Sequence, residues 1–208
     1  MDAGPVQILE TRQSLRWGEL DVPVFGIDRD WHGRAVEPAA GWCVVVDPAS
    51  LWMIATRHAA GVGHPEAAPL AYHEGLWEHE AAELFVASPD RSRYLEINLA
   101  PQGAWWGCLF DAPRVRAAES WPAGAGVEAF AARPDESSWL AAIRLPLDFL
   151  RETLSFGATS PMNLTFVLDP PRHRYLTVAD LGGGEPDFHQ PGRFPLPAWI
   201  DVDASKPC

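Results

Sequence analysis

The chain is poor in cysteine, lysine and long apolar runs, and each scarcity argues against a class of protein. Its 208 residues include only Cys43, Cys108 and Cys208, with no CxxC pair. That pattern opposes a disulfide framework or a thiolate zinc site and suits a reducing compartment. Lys206 is the only lysine, and 28 acidic residues against 16 basic ones leave a formal net charge of −12. With no basic stripe to offset it, this charge opposes nucleic acid or an anionic membrane as partner. No segment approaches the roughly 18 consecutive apolar residues of a membrane-spanning helix. The start, MDAGPVQILETRQSLRW, lacks the basic and then apolar order of a secretory leader. The expectation is a soluble, cytoplasmic chain, with a mature secreted form as the alternative. The seven histidines form neither HExxH nor His-x-x-x-His, so a zinc enzyme has no support. Gly182-Gly183-Gly184 lacks the lysine and helix start of a phosphate loop, and flexibility is the simpler reading.

What the chain does have is 47% hydrophobic and 21% charged residues, with 20 prolines and 17 glycines. This composition fits a folded globule, and the length fits one domain, residues 1–208. Short alternating or apolar runs recur at 41–47, 51–57, 83–87, 94–99, 104–110, 127–132, 139–145, 163–168 and 174–178. Turn signals such as Asp47-Pro48, Ser88-Pro89-Asp90, Pro101-Gln102-Gly103 and Asp169-Pro170-Pro171 separate them. About nine such strands predict an all-β, two-sheet antiparallel sandwich rather than alternating helix and strand. After Pro146, the spacing of Leu147, Leu150, Arg151 and Leu154 predicts one short helix over 147–154. Residues 112–126 and 179–197 read as long loops, which are often functional. The segment 75–85 is ambiguous: Leu76, Glu80 and Leu84 share one helical face, and Trp77, Ala81 and Phe85 share another.

Three of the ten tryptophans fall between Glu74 and Asp111, among carboxylates and an asparagine. Within that stretch Tyr94-Leu95-Glu96-Ile97-Asn98-Leu99 alternates strictly, so one face can build a core while Tyr94, Glu96 and Asn98 share the other. Flat rings beside hydrogen-bonding groups suit a neutral polar ligand such as a sugar, whose C–H face stacks and whose hydroxyls bond. Adjacent Trp105 and Trp106 must face opposite ways. Trp105 shares the parity of Leu109 and belongs with the core, leaving Trp106 on the polar face.

The strings LWEHEAAELF, YLEINLAPQGAWW and EPDFHQPGRF, spanning Leu76 to Phe194, resemble the DOMON-like domains related to family 9 carbohydrate-binding modules. The resemblance implies a two-sheet antiparallel sandwich in which 82–87 is a strand and Trp77 lies in the loop before it. It therefore decides against the helix at 75–85. Members of this broad group bind sugars or haem, and fold alone does not fix function. Carried over by position, Trp77 matches one wall of a tryptophan clamp, Glu83 an acceptor for sugar hydroxyls, and Asn98 a contact on the sheet face. Glu96 departs from the pattern, an acceptor standing where the sugar binders are expected to carry a basic residue.

These readings converge on a non-catalytic module that holds a small carbohydrate-like molecule with Trp77, Glu83, Glu96, Asn98, Trp106 and His189. His189, in the Asp187-Phe188-His189 turn, also suits pinning a long loop. The alternatives are a glycoside hydrolase using Glu83 and Glu96 as its acid pair, and a domain that docks a protein partner through its aromatic face. Haem would require an axial pair such as methionine with histidine, but Met53 and Met162 sit in apolar contexts that core packing explains. Calcium could be held by the acidic cluster Glu78, Glu80, Glu83 and Glu96, although no Asp-x-Asp-x-Asp-Gly loop occurs. No cofactor is expected.

Overall fold

A computed structural model describes residues 4–19, 21–118 and 126–203. In chain order its strands are β1 (Gln7–Glu10), β2 (Phe25–Arg29), β3 (Ala35–Val46), β4 (Ser50–Arg57), β5 (Ala81–Ala87), β6 (Tyr94–Leu99) and β7 (Trp105–Ala112). They continue as β8 (Val115–Arg116), β9 (Glu128–Ala132), β10 (Trp139–Pro146), β11 (Met162–Leu168), β12 (Arg174–Thr177) and β13 (Ala198–Asp201). One helix, α1 (Leu147–Leu154), buries Leu147, Leu150 and Leu154. It follows Pro146, whose fixed φ suits a helix entry.

The expected sandwich is present. One sheet runs β13-β1-β3-β4-β10-β9 with β2 also on β3, and the other runs β12-β11-β5-β6-β7-β8. One departure from a purely antiparallel arrangement is β1, which pairs in parallel with both β13 and β3. The long β3 makes room for two partners on one edge. Trp42, Gly41 and Ala40 lie opposite β2, whereas Val44 to Val46 lie opposite β1.

Between the sheets, Val44, Met53, Leu84, Ile97, Ile143, Leu164 and Phe166 form a closed core. Each fully buried side chain of this kind contributes about 1.5–3 kcal/mol of transfer free energy. Met53 and Met162 both lie in this layer at 0% exposure, packed away from either outer face. A second apolar layer covers the outer face of the second sheet, with Phe85, Tyr94, Trp106, Phe110, Phe188 and Phe194. A third, with Trp52, Ile54 and Val45, covers the outer face of the first and is packed by Leu15 and Trp17. Strands β5 and β6 are thus buried on both faces, every residue of each being buried.

Four strands, β1, β2, β8 and β13, lie outside the runs expected from sequence. All are short, two to five residues, and edge pairing rather than local pattern creates them. The stretch 112–126 is also not one loop. It begins as a hairpin between β7 and β8, while 119–125 lie outside the described residues. The stretch 179–197 is irregular apart from one 3-10 turn at Pro191–Arg193. The expected strand at 83–87 begins two residues earlier, at Ala81. In place of a helix over 75–85 stands a single 3-10 turn, Leu76–Glu78. Gly75 starts that turn at φ 90, a left-handed conformation that glycine adopts at little cost.

Candidate functional site

The outer face of the second sheet presents side chains in transverse rows fixed by register. Thr165, Glu83, Asn98 and Trp106 lie side by side across β11, β5, β6 and β7. The next row holds Asn163, Phe85, Glu96 and Cys108. Glu83 and Glu96 are therefore diagonal neighbours on adjacent strands, a relation that separates residues by about 7–8 Å at the backbone.

A cleft of about 500 Å³ opens over these rows. Of the residues singled out from sequence, Trp77, Glu83, Glu96, Trp106 and His189 line it. Asn98 does not, and this corrects the expectation that it faces ligand. It is 0% exposed, lies beneath the cleft floor, and donates from Nδ2 to Oε1 of Glu96 at 3.1 Å. Its cross-strand partner on β7 is the larger Trp106. Asn98 orients a wall residue rather than meeting solvent.

Two tryptophans form one side of the cleft. The rings of Trp77 and Trp106 meet edge to face, with centroids 5.0 Å apart, an arrangement their quadrupoles favour. The Arg116 guanidinium lies 5.2 Å from the Trp106 ring centre and is paired with Glu74. Trp105 points the other way and packs against the inter-sheet core, together with Leu109.

The Trp77 turn is anchored just beyond its end. Glu80 is 1% exposed. It accepts from Arg57 Nη1 at 2.6 Å and from the Val62 backbone N–H at 2.8 Å, while Arg57 also donates to Asp169 at 2.7 Å. Glu80 thus has a structural role, and Glu78 is solvent-exposed. The acidic cluster expected from sequence is dispersed, because a 3-10 turn running into a strand aims these carboxylates in different directions. Among the described residues no group of three His, Cys, Asp or Glu side chains is placed to hold a metal ion.

On the floor, Glu83 is 3% and Glu96 4% exposed. Thr165 Oγ1 donates to Glu83 Oε2 at 2.9 Å. Burial raises the pKa of both carboxyls, and the charge of Glu96, once ionised, holds Glu83 higher still. Glu96 Oε2 is buried without a close hydrogen-bond donor. His189 Nε2 lies 3.5 Å from it.

His189 is tied to the β7–β8 hairpin by a relay. The Arg114 backbone N–H donates to the Tyr94 hydroxyl at 3.1 Å, and that hydroxyl lies 2.7 Å from His189 Nδ1. With the amide occupying one lone pair of the phenol oxygen, the hydroxyl proton is available to Nδ1, and a ring that accepts it carries its own proton on Nε2, the nitrogen facing Glu96. Burial, reinforced by the Arg114 charge, lowers the His189 pKa to about 4. The His189–Glu96 contact at neutral pH is therefore between a neutral imidazole and a carboxyl, not an ion pair. The loop carrying His189 is fixed by Asp187, whose Oδ1 accepts from the His189 N–H at 3.0 Å and from Arg114 at 2.8 Å. Loop pinning and cleft lining thus coincide in one residue.

The fold resembles that of known proteins. The chain superposes on a candidate carbohydrate-binding protein from Bacteroides uniformis ATCC 8492 with a TM-score of 0.70 at 15% identity, covering 93% of this chain and 99% of that one. It also superposes on a family 9 carbohydrate-binding module from Caldicellulosiruptor kristjanssonii in complex with cellotriose. There the TM-score is 0.59 at 10% identity, over 97% of this chain and 98% of that one. The fold is that of the family 9 carbohydrate-binding modules. A second structure of such a module from the same organism, in complex with glucose, gives a TM-score of 0.58 at 10% identity, over 93% and 95% of the two chains. No family model and no curated protein matches the sequence.

Sequence reasoning missed several lining residues. Phe85 shares the parity of Glu83, and Phe110 that of Trp106, so the two-residue period could have found both. Phe188 stands inside the Asp-Phe-His motif. Arg114, Arg116 and Tyr175, which also line the cleft, carry no comparable local signal. The first two reach it only because the β7–β8 hairpin folds back, with Arg114 at a left-handed φ of 61.

Proposed function

We propose that this chain is a non-catalytic carbohydrate-binding module whose ligand lies in the cleft on the outer face of the second sheet. The observation that carries the reading is the joining of Trp77 and Trp106 to Glu83, Glu96 and His189 around one cavity of about 500 Å³. A sugar ring presents an apolar C–H face to the tryptophans and a rim of hydroxyls to polar groups. The unpartnered Glu96 Oε2 accepts from a hydroxyl, and His189 Nε2–H donates to one. A cleft of this size takes one or two sugar units. The sugar ligands of the two family 9 modules with this fold support the class of ligand.

Stacking and a few hydrogen bonds must offset immobilisation and displaced water. Dissociation constants therefore fall in the micromolar to millimolar range, about −8 to −4 kcal/mol. Titration with a panel of mono- and disaccharides, read by tryptophan fluorescence and calorimetry, tests the reading. A flat response to every sugar removes it. The raised Glu83 and Glu96 pair is also the equipment of a glycoside hydrolase. Turnover of chromogenic glycosides, abolished by Glu96→Gln, is what that second reading requires.

A further inference from the structure

Neither Glu83 nor Glu96 is hydrogen-bonded to a cation among the described residues. Glu83 is partnered by a threonine hydroxyl and Glu96 by an asparagine amide. The two arginines of the cleft are engaged elsewhere, Arg114 with Asp187 at 2.8 Å and Arg116 with Glu74. The other polar groups around the pair add no positive charge. His189 is neutral, burial pushes the hydroxyl of Tyr94 up to about 12 and the thiol of Cys108 up to about 11, and Glu185 adds a negative charge at the rim. Two buried carboxyls at diagonal positions on adjacent strands are costly when both are ionised, unless a cation joins them. The walls around them are aromatic faces, whose quadrupoles also attract cations. The charges of Arg114 and Arg116 ease this cost in part, but among the described residues neither guanidinium is paired with either carboxyl, and a neutral sugar brings no cation to them.

We infer that the cleft is selective for amino sugars, the protonated amine seated between Glu83 and Glu96 while the ring lies against Trp77 and Trp106. The inference rests on the carbohydrate reading and narrows it. Near neutral pH the pair retains a proton in the free protein. When the ammonium arrives, that proton leaves to solvent and the ligand's positive charge replaces it. Binding of an amino sugar therefore releases protons, whereas binding of a neutral sugar does not. Arg114 and Arg116 oppose a cation from the mouth, but their pairing with Asp187 and Glu74 offsets this.

The test is calorimetry of the intact chain with glucosamine, galactosamine and 6-amino-6-deoxyglucose, against N-acetylglucosamine and glucose as neutral counterparts. Measurements in buffers of different ionisation enthalpy count the protons released. At least one amino sugar is expected to bind about tenfold or more tightly than its neutral counterpart, with proton release. Both Glu83→Gln and Glu96→Gln should lower that ratio. If neutral sugars bind as tightly as amino sugars, or amino sugars bind without proton release, this inference is overturned and the carbohydrate reading stands. If none of the five binds, both fall together. The comparison of ligands on the unaltered chain remains decisive even if a variant fails to fold.

Discussion

Replacing Glu83 by glutamine should change how stability depends on pH. Glu83 is almost wholly buried and its folded pKa lies above its unfolded one, through burial first and the Glu96 charge second. Between the two values the native state holds a proton that the unfolded chain has released. By linkage, stability then falls as pH rises through that window, from the ordinary carboxylate range upward. The contribution is intact below the unfolded pKa, and the loss is complete once the folded group ionises. Each tenfold displacement of the ionisation equilibrium corresponds to about 1.4 kcal/mol, and full burial of a carboxyl displaces it by several such factors. The unaltered chain should therefore lose about 3 kcal/mol or more between about pH 5 and pH 9 from this group alone. Glutamine keeps the shape and still accepts from Thr165, yet has no proton to lose. Urea denaturation followed by tryptophan fluorescence at several pH values gives the free energies. Subtracting the two proteins cancels the background titration of the carboxylates that do not interact with Glu83, and leaves the Glu83 contribution together with its coupling to Glu96. If both lose stability in parallel as pH rises, the assignment of Glu83 as a carboxyl kept protonated by its surroundings is wrong.

Three further outcomes are expected. Trp77→Ala should weaken sugar binding about tenfold by removing one stacking wall, while its half-buried position on a surface turn leaves the melting temperature little changed; undiminished binding would place the ligand elsewhere. Tyr94→Phe cuts the relay to His189 and should cost about 1–2 kcal/mol of stability, with nitrogen NMR showing His189 no longer held as the Nε2–H tautomer; an unchanged tautomer signal would contradict the relay. Arg57→Ala strands the buried Glu80 carboxylate and should cost about 3–5 kcal/mol, measurable by denaturant unfolding, with a loss under 1 kcal/mol showing that Glu80 finds water or another partner.

Composition and two-residue periodicity were enough to indicate a sandwich, because alternation and turn chemistry are local properties of the chain. Tyr94–Leu99 and Leu147–Leu154 match the expected strand and helix to the residue, each bounded by its own turn or proline signal. The parity argument likewise separated Trp105 from Trp106. At Leu76–Glu78 local pattern was misleading, since helical spacing of apolar residues also arises when a turn runs into a strand buried on both faces. The resemblance to sugar-binding sandwiches resolved that segment, and periodicity did not.

What the sequence by itself determined, then, is which residues share a face along each strand. Only the tertiary structure decided which faces meet. Asn98 has the same parity as Glu96, yet it is sealed at 0% exposure while Glu96, 4% exposed, lines the cleft. Arg114 and His189 are 75 residues apart in sequence and are joined through Tyr94, a contact no period can encode. The elevated pKa values of Glu83 and Glu96 likewise arise from burial by distant segments. Their chemistry follows from the desolvation that packing imposes, and a sequence carries no direct record of that.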